Sequence, residues 1–221
     1  MKKIFIVSPH LDDAIFSLGA YILNMGYPVS VINVFSKINF IYESIASISE
    51  ASAIRKREDK IALKKAGVEN ILYMDLPGAL LRGYSLNNLF IEDDNESWVE
   101  MDIVQNIRQH VASRICSDDE IFIPAAFGSH IDHLLVRTAC QEIDIQKKYF
   151  ADLPYAADDK RYKNRNAQTF LFNKKLYRIH IDHESINNHI ELCKLYRSQF
   201  LPRFVDEMTA YFMDEQYVIW G

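Results

Sequence analysis

This chain of 221 residues is short of the features that mark proteins without a packed core. It holds only 7 Gly and 6 Pro, too few for a collagen-like repeat or a long disordered tract. Its three cysteines, Cys116, Cys140 and Cys193, are widely spaced and include no CxxC pair. That pattern indicates neither a disulfide framework nor a cysteine-type zinc site, and fits buried free thiols in a reducing compartment. Positive charge is also scarce. The 25 Lys and Arg stand against 30 Asp and Glu, a net charge of −5, which argues against nucleic acid as a partner. Cations gather locally at Arg55-Lys56-Arg57 and between Lys160 and Lys175. No apolar run approaches the roughly 18 residues needed to span a bilayer. Met1-Lys2-Lys3 precedes an apolar stretch, Ile4 to Val7, that is too short for a signal-peptide core. The expectation is one cytoplasmic domain over residues 1–221 with no transmembrane segment; nothing in the sequence assigns an oligomeric state.

What is present is a hydrophobic content of 49%, enough to build a sizeable core. Ile4 to Val7 is a continuous apolar run, as expected of a strand buried on both faces. From Asp12 to Met25, Ile15, Leu18, Ile22 and Met25 recur at helical spacing, and Gly26 suits a helix stop. Strands are expected at Val29 to Phe35, Ile71 to Met74 and Ile121 to Ile123. Further helices are expected at Ile48 to Ala66, Val99 to Ile115 and Leu134 to Ile145. This alternation predicts a parallel sheet covered on both faces. Thr169 to Phe172 and Tyr177 to Ile181, separated by Asn173-Lys174-Lys175, suggest an antiparallel hairpin on one edge. Helices near Ser185 to Gln199 and Pro202 to Phe212 follow, and Pro77 to Glu100 is expected to be a long surface loop that shapes a pocket.

Two clusters carry possible chemistry. Pro9-His10-Leu11-Asp12-Asp13 lies between the first strand and the first helix, where open parallel sheets bind their ligands. His10 and Asp13 have the spacing to reach one metal ion. Either aspartate alone is better explained as a helix N-cap, but capping does not explain a histidine and a second carboxylate in the same turn. Ser129-His130-Ile131-Asp132-His133 follows the fourth strand and reaches the same sheet edge. Two histidines three residues apart share a helix face, and neutral imidazole is a common zinc ligand. The same four residues recur at His180-Ile181-Asp182-His183, where no buried parallel strand precedes them, and that copy is taken as structural.

The stretch Ser8 to Asp13 resembles the P-H-x-D-D signature of the PIG-L/LmbE-like family of N-acetylglucosamine deacetylases, and His130 to His133 resembles its H-x-D-H signature. Arg55-x-x-Glu58-x-x-x-Ala62, Asp152-Leu153-Pro154-Tyr155-Ala156 and Tyr196-Arg197-Ser198-Gln199 are similar to further family segments. The resemblance implies an α/β, Rossmann-like, mostly parallel sheet with helices on both faces and a C-terminal β-hairpin plus helices. It implies a zinc-dependent amide hydrolase that removes the acetyl group from an N-acetylated sugar by attack of a zinc-bound water. His10, Asp13 and His133 would be the metal ligands, a set that admits Fe2+ as well as Zn2+. Asp12 would be the general base, and His130, kept cationic and oriented by Asp132, the oxyanion stabiliser or acid. Arg55 and Arg82, the latter by its place in the expected pocket loop, are candidates to hold sugar hydroxyls or a phosphate, and Tyr155 is a candidate oxyanion partner.

The chain departs from the family in three places: Ala14 stands where many members carry Glu, His189 where a late Lys is usual, and Phe127-Gly128-Ser129 lacks a tyrosine found in some relatives. Two rival classes follow: a non-catalytic metal- or sugar-binding protein on the same fold, and a nucleotide-binding enzyme. The second lacks a GxGxxG after the first strand, where Asp12 and Asp13 would repel phosphate.

Overall fold

The structure is a computed structural model that describes residues 2–41, 47–91, 98–158, 165–215 and 217–221. Seven strands form one sheet: β1 (Ile4–Ser8), β2 (Val29–Asn33), β3 (Asn70–Tyr73), β4 (Glu120–Pro124), β5 (Gln146–Phe150), β6 (Leu176–Ile179) and β7 (Tyr217–Trp220). Their order is β3-β2-β1-β4-β5-β7-β6, parallel from β3 to β5, with β7 and β6 antiparallel at the edge. β1, β2 and β4 are buried at every position, which is why β1 and β4 carry the apolar runs Ile4-Phe5-Ile6-Val7 and Ile121-Phe122-Ile123.

Alternation along the strands divides the core. Ile4, Ile6, Val31 and Phe122 face α1 (Asp13–Leu23), α2 (Ile48–Lys65), α6 (His183–Cys193) and α7 (Pro202–Glu215). Phe5, Val7, Ile32 and Ile121 face α3 (Met101–Ala112) and α4 (Ile131–Gln141). Each helix contributes a stripe at helical spacing, Ile15/Leu18/Ile22 from α1 and Val104/Ile107/Val111 from α3. Each such fully buried side chain contributes roughly 1.5–3 kcal/mol relative to exposure. α1 and α6 approach so closely at Gly19 that a Cβ there would sit 2.4 Å from the His189 ring. No described helix is long and apolar enough to cross a membrane.

The topology positions the site. From β1 the sheet grows in one direction through β2 and in the other through β4, so the carboxyl ends of β1 and β4 flank a switch-point crevice. His10 leaves β1 and His130 follows β4, so the two clusters meet there.

The edge differs from the expected hairpin. Residues 169–171 belong to a short helix, α5 (Arg165–Leu171), which buries Ala167 and Leu171 four residues apart. The β6 partner is β7, a strand absent from the sequence reading, as was β5. Residues 159–164, part of the cationic stretch, lie outside the described residues, as do 92–97 of the long loop. The described part of that loop is pinned to the segment after β4, with Ile91 N–H donating to Ser129 O and Ile131 N–H to Leu89 O, both 2.9 Å.

Candidate metal centre and pocket

Ser8, the last residue of β1, folds the turn that follows. Its hydroxyl donates to His10 O (2.6 Å) and accepts from Ala14 N–H (3.1 Å). Asp13 opens α1, and its carboxylate accepts the His10 N–H at 2.7 Å. Asp12 occupies the N-cap position but makes no side-chain cap bond; its carboxylate accepts instead from Arg55 Nη2 of α2 at 2.8 Å. Capping therefore accounts for neither aspartate's orientation.

His10 Nδ1 and Asp13 Oδ2 lie 3.3 Å apart, Asp13 Oδ2 and His133 Nε2 3.3 Å, and His133 Nε2 and His10 Nδ1 3.3 Å. Ligand atoms of His10, His130 and His133 all fall within 4.8 Å of one another, making these histidines a group able to hold a metal ion among the described residues. The back of each ring has its own partner. His10 Nε2 meets Asp132 Oδ2 at 2.9 Å, and His133 Nδ1 meets Asp152 Oδ1 at 2.6 Å. Because a carboxylate only accepts, in the neutral rings the proton sits on that rear nitrogen, which leaves the lone pairs of His10 Nδ1 and His133 Nε2 toward each other. His130 is different. It caps α4, and its Nδ1 accepts the backbone N–H of Asp132 at 3.1 Å. In the neutral ring the proton is therefore on Nε2.

The electrostatics follow from burial and neighbours. Burial works against a charge on His10, but its bonds to Asp13 and Asp132 outweigh it and raise the pKa to about 10. Asp13 is held low despite burial by His133 and His10. Burial raises Asp12, with Arg55 opposing and Asp13 reinforcing. Burial, together with the charge on His10, pushes His130 well below its ordinary range. Burial and the neighbouring His10 charge thus work against the cationic His130 expected from the sequence, and the Asp132 carboxylate, expected to orient His130, faces His10 and Arg82.

Both arginines expected to hold substrate have partners inside the protein. Arg55 pairs with Asp12, while Arg82 pairs with Asp132 (2.7 Å) and Glu100 (3.0 Å) and stacks over Phe35. Arg55 still lines the cavity of about 350 Å³ that opens over the cluster, along with Asp12, His130, Phe90, Tyr155 and Phe204. Tyr155 stands edge-on to His133 with ring centroids 5.4 Å apart. The segment before His130 is tightly wound, and at Gly128 (φ +77°) a Cβ would come within 2.9 Å of Tyr155 Cβ. The second His-Ile-Asp-His copy is not in the pocket: Asp182 caps α6 by accepting Ser185 N–H at 2.7 Å. The sequence reading missed Asp152 as a partner of the cluster. Recognising β5 would have placed it at a third carboxyl-end loop beside the other two.

A doubly wound α/β domain with a histidine and carboxylate cluster at its switch point defines the class. Residues 5–143 match the PIG-L family model, described as GlcNAc-PI de-N-acetylase, and the chain belongs to that family. It is 27% identical over 168 residues to the 2'-N-acetylparomamine deacetylase of Streptomyces fradiae, covering 70% of this chain and 58% of that relative. The chain therefore spans less than two thirds of the length of the curated relative it matches. Among solved structures it is similar to the A40926 pseudoaglycone deacetylase Dbv21, with 25% identity, TM-score 0.70, and coverage of 99% of this chain and 96% of that one. The zinc-inhibited form of teicoplanin deacetylase Orf2 shares the fold at 18% identity and TM-score 0.72, covering 99% and 97% of the two chains.

Proposed function

We propose that this chain is a metal-dependent hydrolase that removes the acetyl group from an N-acetylated sugar, with His10, Asp13 and His133 as metal ligands. One observation carries the reading: the three donor atoms form a triangle with 3.3 Å sides. Donors at about 2.0–2.1 Å from a tetrahedral zinc stand roughly 3.3 Å apart, so the spacing fits. The tautomers support the same set over the three-histidine alternative. When neutral, His10 and His133 turn lone pairs inward, whereas His130 already uses its Nδ1 lone pair on a backbone N–H and, when neutral, presents a proton from Nε2. Family membership and the two relatives of at least 25% identity described above, both deacetylases, support the reaction class.

Zinc in such a site supplies Lewis acidity toward the amide carbonyl and toward water at neutral pH. The chain's own groups do the rest. Asp12, raised by burial and held in place by Arg55, takes the proton of the attacking water. The Nε2–H of neutral His130 donates to the oxygen that gains charge as the amide carbon becomes tetrahedral. Asp132 holds the His10 ring, and Arg55 acts through Asp12 rather than on the sugar. Tyr155 and Phe90 form apolar walls that limit water. A binding protein needs neither a raised carboxylate nor a buried Nε2–H donor, which favours an enzyme over a non-catalytic binder.

The test is acetate release from a panel of N-acetylglucosaminides by protein of measured metal content. Turnover that follows zinc or ferrous iron occupancy is the expected outcome. Full turnover after metal removal would sink the reading.

A further inference from the structure

The cluster has a second line of support that comes from neither signature. Asp152 follows β5, and both it and His133 are 0% exposed. Its Oδ1 faces His133 Nδ1 at 2.6 Å, and its Oδ2 accepts the Phe127 N–H at 3.0 Å. The segment is anchored on both sides: Leu153 N–H donates to Ser17 Oγ of α1 at 3.1 Å, and Ala156 N–H to Asp152 O at 2.8 Å. The carboxylate is thus placed by three parts of the fold before any ligand arrives.

We infer that Asp152 is a positioning residue that locks the tautomer of His133 and thereby sets the metal affinity of the site, an assignment that rests on the metal reading above. Both carboxylate oxygens face donors, and a carboxylate only accepts. The imidazole proton is therefore held on Nδ1, and the Nε2 lone pair is left facing His10 Nδ1 and Asp13 Oδ2. Partners of this kind behind a ligating histidine typically change metal affinity 10–100-fold when removed.

Asp152→Asn separates this role from packing because it is isosteric but offers one acceptor where two donors converge. The Phe127 amide cannot move its proton, whereas imidazole can. The amide oxygen therefore stays on Phe127 N–H, and the amide NH2 turns to His133 Nδ1. The ring proton transfers from Nδ1 to Nε2, onto the atom that faces the metal position.

The experiment measures zinc dissociation constants by competition with a chromophoric chelator, for the wild type, Asp152→Asn and Asp152→Glu. Melting curves of the metal-free proteins are recorded in parallel. Asp152→Asn is expected to bind zinc about 10–100-fold more weakly, with a metal-free Tm close to wild type. Asp152→Glu, which keeps two acceptor oxygens, recovers part of that loss. An Asp152→Asn protein with a lower metal-free Tm but unchanged zinc affinity shows a merely structural residue and overturns the assignment. Should the variants fail to fold, ¹⁵N-histidine spectra of the zinc-loaded wild type decide. A proton on His133 Nδ1 is expected, and one on Nε2 overturns the assignment. A wild-type chain that takes up no zinc overturns the metal reading and this assignment together; unchanged affinity in Asp152→Asn overturns this assignment alone.

Discussion

The tetrapeptide His-Ile-Asp-His occurs twice, and the two copies have opposite fates. In residues 130–133 the helix starts at Ile131 with His130 as its cap, so Asp132 and His133 lie in the first turn and point into the crevice. In residues 180–183 the helix starts two residues later in the motif, at His183, and Asp182 is the cap. The first copy follows a strand buried at every position, and Asp132 and His133 are only 1% and 0% exposed. The second follows an edge strand and stays at the surface. Identical side chains thus become a candidate catalytic centre or a solvated helix end, according to where the preceding strand sits in the sheet.

The comparison breaks most sharply at its last histidine. His133→Ala is expected to abolish metal uptake and turnover, while His183→Ala leaves both at wild-type level; metal analysis with the acetate assay checks this. If His183→Ala emptied the site as well, the assignment of the two copies would be wrong. Asp12→Asn sharpens the division of labour within the site. Metal content is expected to stay intact while kcat falls about 10²–10⁴-fold, the usual contribution of a general base.

A smaller effect concerns α6, the helix that the second copy opens. His189 lies in its interior, with Nδ1 2.5 Å from the Tyr217 hydroxyl, and burial lowers its pKa to about 4. Between its ordinary value of 6.5 and about 4, the unfolded chain binds a proton that the folded chain refuses. Stability therefore drops as pH falls through that window and stops changing on this account below it, by on the order of 3 kcal/mol in total. Urea unfolding of the wild type and His189→Gln at pH 7, 5.5 and 4 tests this, with the variant expected to show the shallower slope. Least of all, Asp182→Ala removes only a surface cap, and its expected result is a Tm lower by about 2–4 °C with unchanged turnover.

Much of this was legible because burial leaves a pattern. Fully buried β1 and β4 appear as apolar runs, Ile4 to Val7 and Ile121 to Ile123, and the spacing of Ile15, Leu18 and Ile22 identifies α1 directly. β5 was illegible because Lys147 and Lys148 interrupt it; Lys147 Nζ donates to Ile145 O at 3.2 Å, and Lys148 pairs with Glu120 at 3.2 Å. Residues 169–172 carry strand-forming side chains, yet Ala167 and Leu171 pack as one helical face, and tertiary burial outweighed local propensity. β7 is four residues long and becomes a strand only because β5 and β6 pair with it.

The sequence by itself determined the class of fold, the two loops that bear the chemistry, and the family. It did so because parallel strands and the turns at their carboxyl ends are encoded locally. Only the tertiary structure decided which groups meet. Asp132 turned from its neighbour His130 to His10 and Arg82, Arg55 closed on Asp12, and Asp152 came up behind His133. Those pairings join residues as far as 122 positions apart, and no local pattern specifies which buried donor a carboxylate will meet.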